Sequence, residues 1–174
     1  MMHFVARFVP VLVAVVVGAL EGAAQTPPAR WGAAVVYDPV RGETLMYTPG
    51  APGTPTQATW RLRNGTWLVA ASPIWPQLSS PASTFDRQRG VAVMVVGDGT
   101  WMQTWEWNGI SWSQRQGAAP PDRAVQALCF DASRGESVLF GGWTGGPNLN
   151  DTWAWNGTAW SQRSPATSPK TSEW

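Results

Sequence analysis

The sequence has 174 residues, 44% of them hydrophobic and 13% charged, with a formal net charge of +1. That length is enough for one domain with a real core, and a charge so near zero gives no electrostatic basis for binding nucleic acid or an anionic membrane. Lysine and arginine total 12, nearly all arginine and scattered along the chain, which reads as solvated surface and strand-edge charge.

Residues 1–24 form a unit of their own. His3 and Arg7 lie in a short polar start, Phe8 to Leu20 is an apolar run, and Gly22, Ala23 and Ala24 follow. The run is shorter than the roughly 20 residues of a spanning helix, and small residues after it suit a signal peptidase. It reads as a signal peptide cleaved after Ala24. No second apolar run follows, so the expected mature chain is secreted, extracellular or periplasmic, and not embedded in a membrane.

The rest of the chain repeats. The first copy, 25–71, begins with an apolar, β-branched run at Ala33–Tyr37, turns at Asp38-Pro39-Val40-Arg41-Gly42 and returns through Thr44–Tyr47. The aspartate can hydrogen-bond the turn backbone, and the glycine accepts positive φ. Thr59–Arg63, the turn Asn64-Gly65 and Thr66–Val69 make a second hairpin, because Asn-Gly suits the positive φ of a type I′ turn. The second copy occupies 72–116 and the third 117–164. Asp38, Asp86 and Asp131 are spaced by 48 and 45 residues; Trp60, Trp105 and Trp153, like Trp67, Trp112 and Trp160, are spaced by 45 and 48. Four short antiparallel strands at such a period predict an all-β chain of three β-propeller blades. With Asn156-Gly157 taken as a two-residue turn, Trp153 should face Trp160, with Trp155 on the same side; Trp105, Trp107 and Trp112 repeat that pattern. In the first copy the turn comes one residue later, which sets Leu62 opposite Trp67. Indoles so arranged are expected to pack against the next blade. Cys129, alone in the apolar run Ala127-Leu128-Cys129-Phe130, is expected to be a small buried hydrophobe without a disulfide partner.

At these residues the chain resembles the Kelch repeat family, which includes bacterial secreted proteins and the central domain of galactose oxidase. The third copy carries the likeness most fully, in Arg123, Phe130-Asp131, Gly135, Val138-Leu139-Phe140, Gly141-Gly142 and Asp151-Thr152-Trp153 followed by Trp160. The double glycine is Val96-Gly97 in the second copy and Thr48-Pro49 in the first, while the family arginine, present at Arg30 and Arg123, is Leu78 in the second. The resemblance covers 28–162 and implies a propeller that binds proteins or carbohydrates; a minority of such propellers are enzymes. Three blades are fewer than the four to eight or so at which propellers close, and 165–174, rich in Ser, Pro and Thr, reads as the start of a missing fourth blade or as a tail. The chain is therefore read as a piece of a longer propeller, with self-association of copies through open blade edges as the alternative.

No catalytic group, metal site or cofactor is expected. The single histidine, His3, lies in the leader, which removes the usual general base and metal ligand. A copper site like that of galactose oxidase needs histidines. The recurring aspartates sit at turns, Asp151 is expected just before a strand, and Asp98-Gly99 and Asn148 to Asp151 are expected to form loop turns rather than a Ca²⁺ site. The remaining candidates are Trp101 and Trp143, indoles outside the repeat anchors and available to stack on sugar rings or partner side chains. The expected function is a secreted, non-catalytic binding or scaffold module for a protein or carbohydrate ligand; the alternative is a piece of a carbohydrate-active or oxidase-type propeller enzyme whose catalytic groups lie elsewhere.

Overall fold

A computed structural model of the chain describes residues 24–29, 32–48, 58–71 and 79–167. Residues 1–23 of the proposed leader, together with Arg30 and Leu78, lie outside the described residues. The described chain is all-β. Its strands are β1 (Ala34–Asp38), β2 (Glu43–Thr48), β3 (Ala58–Arg63), β4 (Thr66–Ala71), β5 (Ser79–Asp86), β6 (Val91–Gly97), β7 (Met102–Trp107), β8 (Trp112–Arg115), β9 (Ala127–Asp131), β10 (Glu136–Trp143), β11 (Asn148–Trp155) and β12 (Trp160–Arg163). They make three separate four-stranded antiparallel sheets, each a simple meander in chain order, and none is closed. Strand β5 lies beside both β1 and β9, so the first strands of the three blade-like sheets adjoin along one side. Among the described residues no helix is long and apolar enough to cross a membrane.

The first turn of every sheet is built alike. Asp38, Asp86 and Asp131 each accept, through Oδ1, the backbone N–H groups two and three residues on, at 2.9–3.2 Å. Gly42, Gly90 and Gly135 close these turns with φ of 66°, 66° and 69°. The arginine before each glycine returns to its aspartate, at 2.7, 2.7 and 2.6 Å for Arg41, Arg89 and Arg134. Many arginines are thus committed partners rather than solvated charges, because burial of their carboxylates requires a counter-charge. Glu43, with a fully buried side chain, takes Arg61, and Glu106, also buried, takes both Arg89 and Arg115.

The second hairpins differ from expectation in register. Trp155, not Trp153, lies opposite Trp160, and Trp107 lies opposite Trp112. The cause is a four-residue loop in place of a two-residue turn. Asn108 Oδ1 accepts the N–H groups of Ile110 and Ser111, and Asn156 Oδ1 those of Thr158 and Ala159, all at 2.9 Å. Each asparagine side chain thereby satisfies the backbone of a wider loop. Only in the first sheet does Asn-Gly fill both turn positions, with φ of 50° and 75°, and there Leu62 faces Trp67. A displacement of two residues leaves each side chain on the same sheet face, so Trp153, Trp155 and Trp160 still share one side.

That side packs on the preceding sheet, not the next one. Between the first and second sheets lie Leu45, Tyr47, Phe85, Ala92, Met94, Val96 and Trp107, with Trp105 and Trp112 packed against them. Between the second and third lie Val93, Val95, Met102, Leu139, Trp155 and Trp160. At each interface a fourth-strand indole places its N–H in the same way, whereas Nε1 of the buried Trp107 finds no partner. Trp112 Nε1 donates to Thr59 Oγ1 and Trp160 Nε1 to Thr104 Oγ1, each at 2.7 Å. Trp155 Nε1 also donates across the interface to Glu106 Oε1, at 3.0 Å. Arginines add a second tie: Arg41 donates to Asn108 O, and a Cβ at Gly109 or Gly157 would run into the guanidinium of Arg41 or Arg89. Trp60 and Trp67 hold the equivalent positions on the first sheet, on its face turned away from the second; Trp60 is buried and Trp67 half-buried.

Cys129 is exposed, against expectation, and it forms no disulfide. It lies opposite Val138, on the face of the third sheet turned away from the second, where no described sheet covers it. Apolar neighbours in sequence do not bury a residue whose strand presents it to the uncovered side.

A Thr104→Val substitution keeps the shape of the side chain but orphans the buried Trp160 N–H, and is expected to cost about 1–3 kcal/mol of stability. Thr104→Ser keeps an acceptor and should cost less. Urea unfolding midpoints of the two variants check this, and equal midpoints would remove the hydrogen bond from the account of the interface.

Candidate functional site

The segment from Gln116 to Gln126 leaves the second sheet, crosses one end of the molecule and enters the third. Short backbone ties fix its path. Met102 N–H donates to Pro120 O at 3.0 Å and Asp122 N–H to Thr100 O at 3.2 Å, while Ala124 and Trp143 exchange N–H···O bonds at 2.8 and 2.9 Å. Trp101 is thereby bridged to Pro121 and Trp143 to Ala124. Trp101, just before β7, and Trp143, which ends β10 and does not lie in a loop as expected, are anchored through their backbones to one linker while staying 55% and 48% exposed.

Arg123 holds this linker. Its side chain is 1% exposed and makes a two-pronged ion pair with Asp151, Nη1 to Oδ1 at 2.5 Å and Nη2 to Oδ2 at 3.0 Å. Nε donates to Pro121 O and Nη1 to Gly141 O, each at 3.1 Å. Asp151 also accepts the Trp153 indole N–H at 2.7 Å. It lies inside β11 rather than before it, and Asn148 opens that strand, so the expected loop turn at 148–151 is not there. Burial works against the Asp151 carboxylate, but the hydrogen bonds from Arg123 and Trp153 and the charge of Arg123 outweigh it and hold its pKa below the ordinary value. The double glycine serves the same junction. The β10–β11 register shifts between Phe140 and Gly142; Gly142 has φ of 113°, and a Cβ there would lie 2.9 Å from Ala124 O.

Trp101 is set by a second aspartate. Asp98 Oδ1 accepts the N–H groups of Thr100 and Trp101 at 2.9 Å, and Oδ2 accepts from Gln103 Nε2 at 3.1 Å. The two backbone bonds, then Gln103, lower the Asp98 pKa against a small opposing effect of burial. The Asp98 turn expectation therefore stands, with its carboxylate occupied by its own loop. Trp101 borders a cleft of about 360 Å³ between the second and third sheets, shared with Asp98, Gln103, Gln114, Arg115 and Trp160. This volume falls within the roughly 300–1,000 Å³ of small-molecule sites. Trp143 is not among the residues lining that cleft, so one linker joins the two candidates but one cavity does not.

The sequence carries no signal for Gln103, on β7, or for Gln114 and Arg115, on β8, because polar strand residues look like ordinary surface. Arg115 is half tied down, with Nε on Glu106 Oε2 at 2.7 Å and its side chain 44% exposed. The anchors Asp38, Asp86, Asp131, Trp112, Trp160, Gly141 and Gly142 shape turns, interfaces and the linker crossing. Among the described residues, no group of three or more His, Cys, Asp or Glu side chains is placed to hold a metal ion.

No protein-family model matches the chain, and no curated protein matches it significantly.

Asp151→Asn would leave the buried Arg123 guanidinium without its counter-charge, a loss of about 3–5 kcal/mol at neutral pH. A carboxylate whose folded pKa is depressed contributes stability above its unfolded pKa of about 3.9 and loses it as pH falls through the lower folded value. The gap between wild type and Asp151→Asn should therefore narrow below about pH 4. Urea unfolding at neutral and acid pH measures it; a gap independent of pH would show that the pair is not the stabilising element.

Proposed function

We propose that this chain is an exported, non-catalytic binding module built from Kelch-type propeller blades, whose ligand, a glycan or a partner protein, rests on Trp101 in the cleft between the second and third sheets. One observation carries the reading: a 55% exposed indole, held at its backbone by both the Asp98 turn and the linker, borders a cleft rimmed by amide and guanidinium groups. Indoles and arginine are the side chains that anchor binding surfaces most often, and planar amides beside them give the directed hydrogen bonds that orient a polar ligand. Trp143, 48% exposed at the end of β10 and bonded to the linker at Ala124, extends the surface to a longer ligand.

The three-sheet arrangement, the recurrence of Asp-x-x-Arg-Gly at each first turn and the double glycine beside Arg123 support the Kelch-type reading. The apolar run of residues 8–20 supports export. N-terminal sequencing of the exported chain is expected to begin Gln25-Thr26-Pro27; a chain retained with its leader intact would refute the export reading.

Titration with a panel of oligosaccharides and with partner proteins, followed by tryptophan fluorescence, tests the site. Trp101→Ala should weaken binding by tenfold or more, about 1.4 kcal/mol, with the unfolding midpoint unchanged, and Trp143→Ala should matter only for longer ligands. Unchanged affinity in the double variant would sink the assignment.

A further inference from the structure

The two sheet interfaces within the chain share one plan, an indole on a threonine and an arginine at an Asn-Gly loop, and each end of the stack carries one half of it. The half supplied by the earlier sheet consists of a threonine on the third strand, a first-turn arginine and an acid–arginine pair. In the first sheet these are Thr59, Arg41 and the pair Glu43–Arg61; in the second they are Thr104, Arg89 and Glu106 with Arg115. The third sheet carries the same residue types on its far face, with the acid–arginine pair now joining its second and fourth strands. Thr152 occupies the register position of Thr59 and Thr104, Arg134 that of Arg41 and Arg89, and Glu136 pairs with Arg163 at 2.6 Å. These residues, with Val138 and Ala154, line an open groove of about 730 Å³, and the Arg134 side chain is 72% exposed.

The half supplied by the later sheet is an apolar first strand, a fourth-strand tryptophan and an Asn-Gly loop that receives the arginine. The first sheet presents all three on its own outer face. Val35 and Tyr37, equivalent to Leu128 and Phe130 of the third sheet, are 56% and 58% exposed. Trp67 has the same cross-strand position as Trp112 and Trp160, opposite Leu62 where they face Trp107 and Trp155. Gly65, in the corresponding hairpin loop though one residue nearer its tryptophan, has nothing within 4 Å of a Cβ built on it.

We infer that the outer face of the first sheet docks on the outer face of the third sheet of a second copy of this chain, with Trp67 against Thr152 and Arg134 against the Asn64-Gly65 loop. The occupant follows from continuity: the contact repeats an interface that the chain already makes twice. It joins two different faces, so two copies satisfy both only by closing on each other. Six sheets would then lie within the range of about four to eight at which propellers close; that count rests on the propeller reading, whereas the docking of the two faces does not.

Sedimentation of the full chain should show a concentration-dependent dimer. Tyr37→Lys spoils the front face and Val138→Lys the back face, both without touching an internal interface, and each variant alone should be monomeric. Mixed together they should associate again, more weakly than wild type, because one undamaged front then meets one undamaged back. Near-UV circular dichroism of the tryptophans verifies folding, and Ala127→Lys, at an exposed back-face position, replaces Val138→Lys if that variant does not fold. Cys129 lies on the docked face and supplies a second readout: its reaction with a thiol reagent should slow as wild-type concentration rises but not in Tyr37→Lys. A wild-type chain monomeric at every concentration, or variants that stay monomeric when mixed, would overturn the inference.

Discussion

The hydrogen bond from a fourth-strand indole to a third-strand threonine of the preceding sheet is the constraint on which the rest of this structure depends. The faces that meet are largely apolar, and hydrophobic burial alone would let the sheets slide over one another at little cost. An indole N–H sealed in such an interface carries a penalty of about 1–3 kcal/mol unless it meets an acceptor. Thr59 and Thr104 supply that acceptor at one point of each interface. Their placement turns a non-directional contact into a fixed register between sheets. The arginine ties at Gly109 and Gly157 then confine the far end of each hairpin, and Glu106 accepts both arginines and an indole where the second and third sheets meet.

What the sequence made legible was local. The Asp-x-x-Arg-Gly turns, the alternation of the strands and the count of strands per repeat all follow from neighbours within a few residues, and the structure has them nearly as read. The hairpin register at Trp155 and Trp160 departs from expectation because Asn-Gly has two uses. It can occupy both central positions of a tight turn, as at Asn64-Gly65, or the asparagine side chain can cap a four-residue loop, as at Asn108 and Asn156. The dipeptide is the same in all three copies. The choice shows only in where the tryptophan falls after it, since the first copy has one residue fewer between Gly65 and Trp67 than the others have at that point.

What the sequence left hidden was relational. Scattered arginines look like solvated surface until the sheets bring Glu43 and Glu106 inside, and a buried carboxylate then requires them. Cys129 looked like core because its neighbours in sequence are apolar, yet burial belongs to a strand face, and that face has no sheet over it. In the candidate site, Trp101 and Trp143 stood out because they break the repeat. Gln103, Gln114 and Arg115 could not stand out, because only the folded chain sets them beside Trp101.

The linker joins stability to the surface proposed for binding. Arg123 gives its guanidinium to Asp151 in β11, to Gly141 at the kink of β10 and to Pro121 in its own segment. The same segment carries the backbone bonds that hold Trp101 on one side and Trp143 on the other. A buried ion pair is a poor source of net stability but a strict one of geometry, since breaking it costs more than forming it gains. Here its geometric effect reaches the surface: the position of two exposed indoles depends on a guanidinium that solvent does not touch. An exposed aromatic fixed in this way has already given up the freedom that a ligand would otherwise have to take from it, and that is the condition under which a small contact area can bind well.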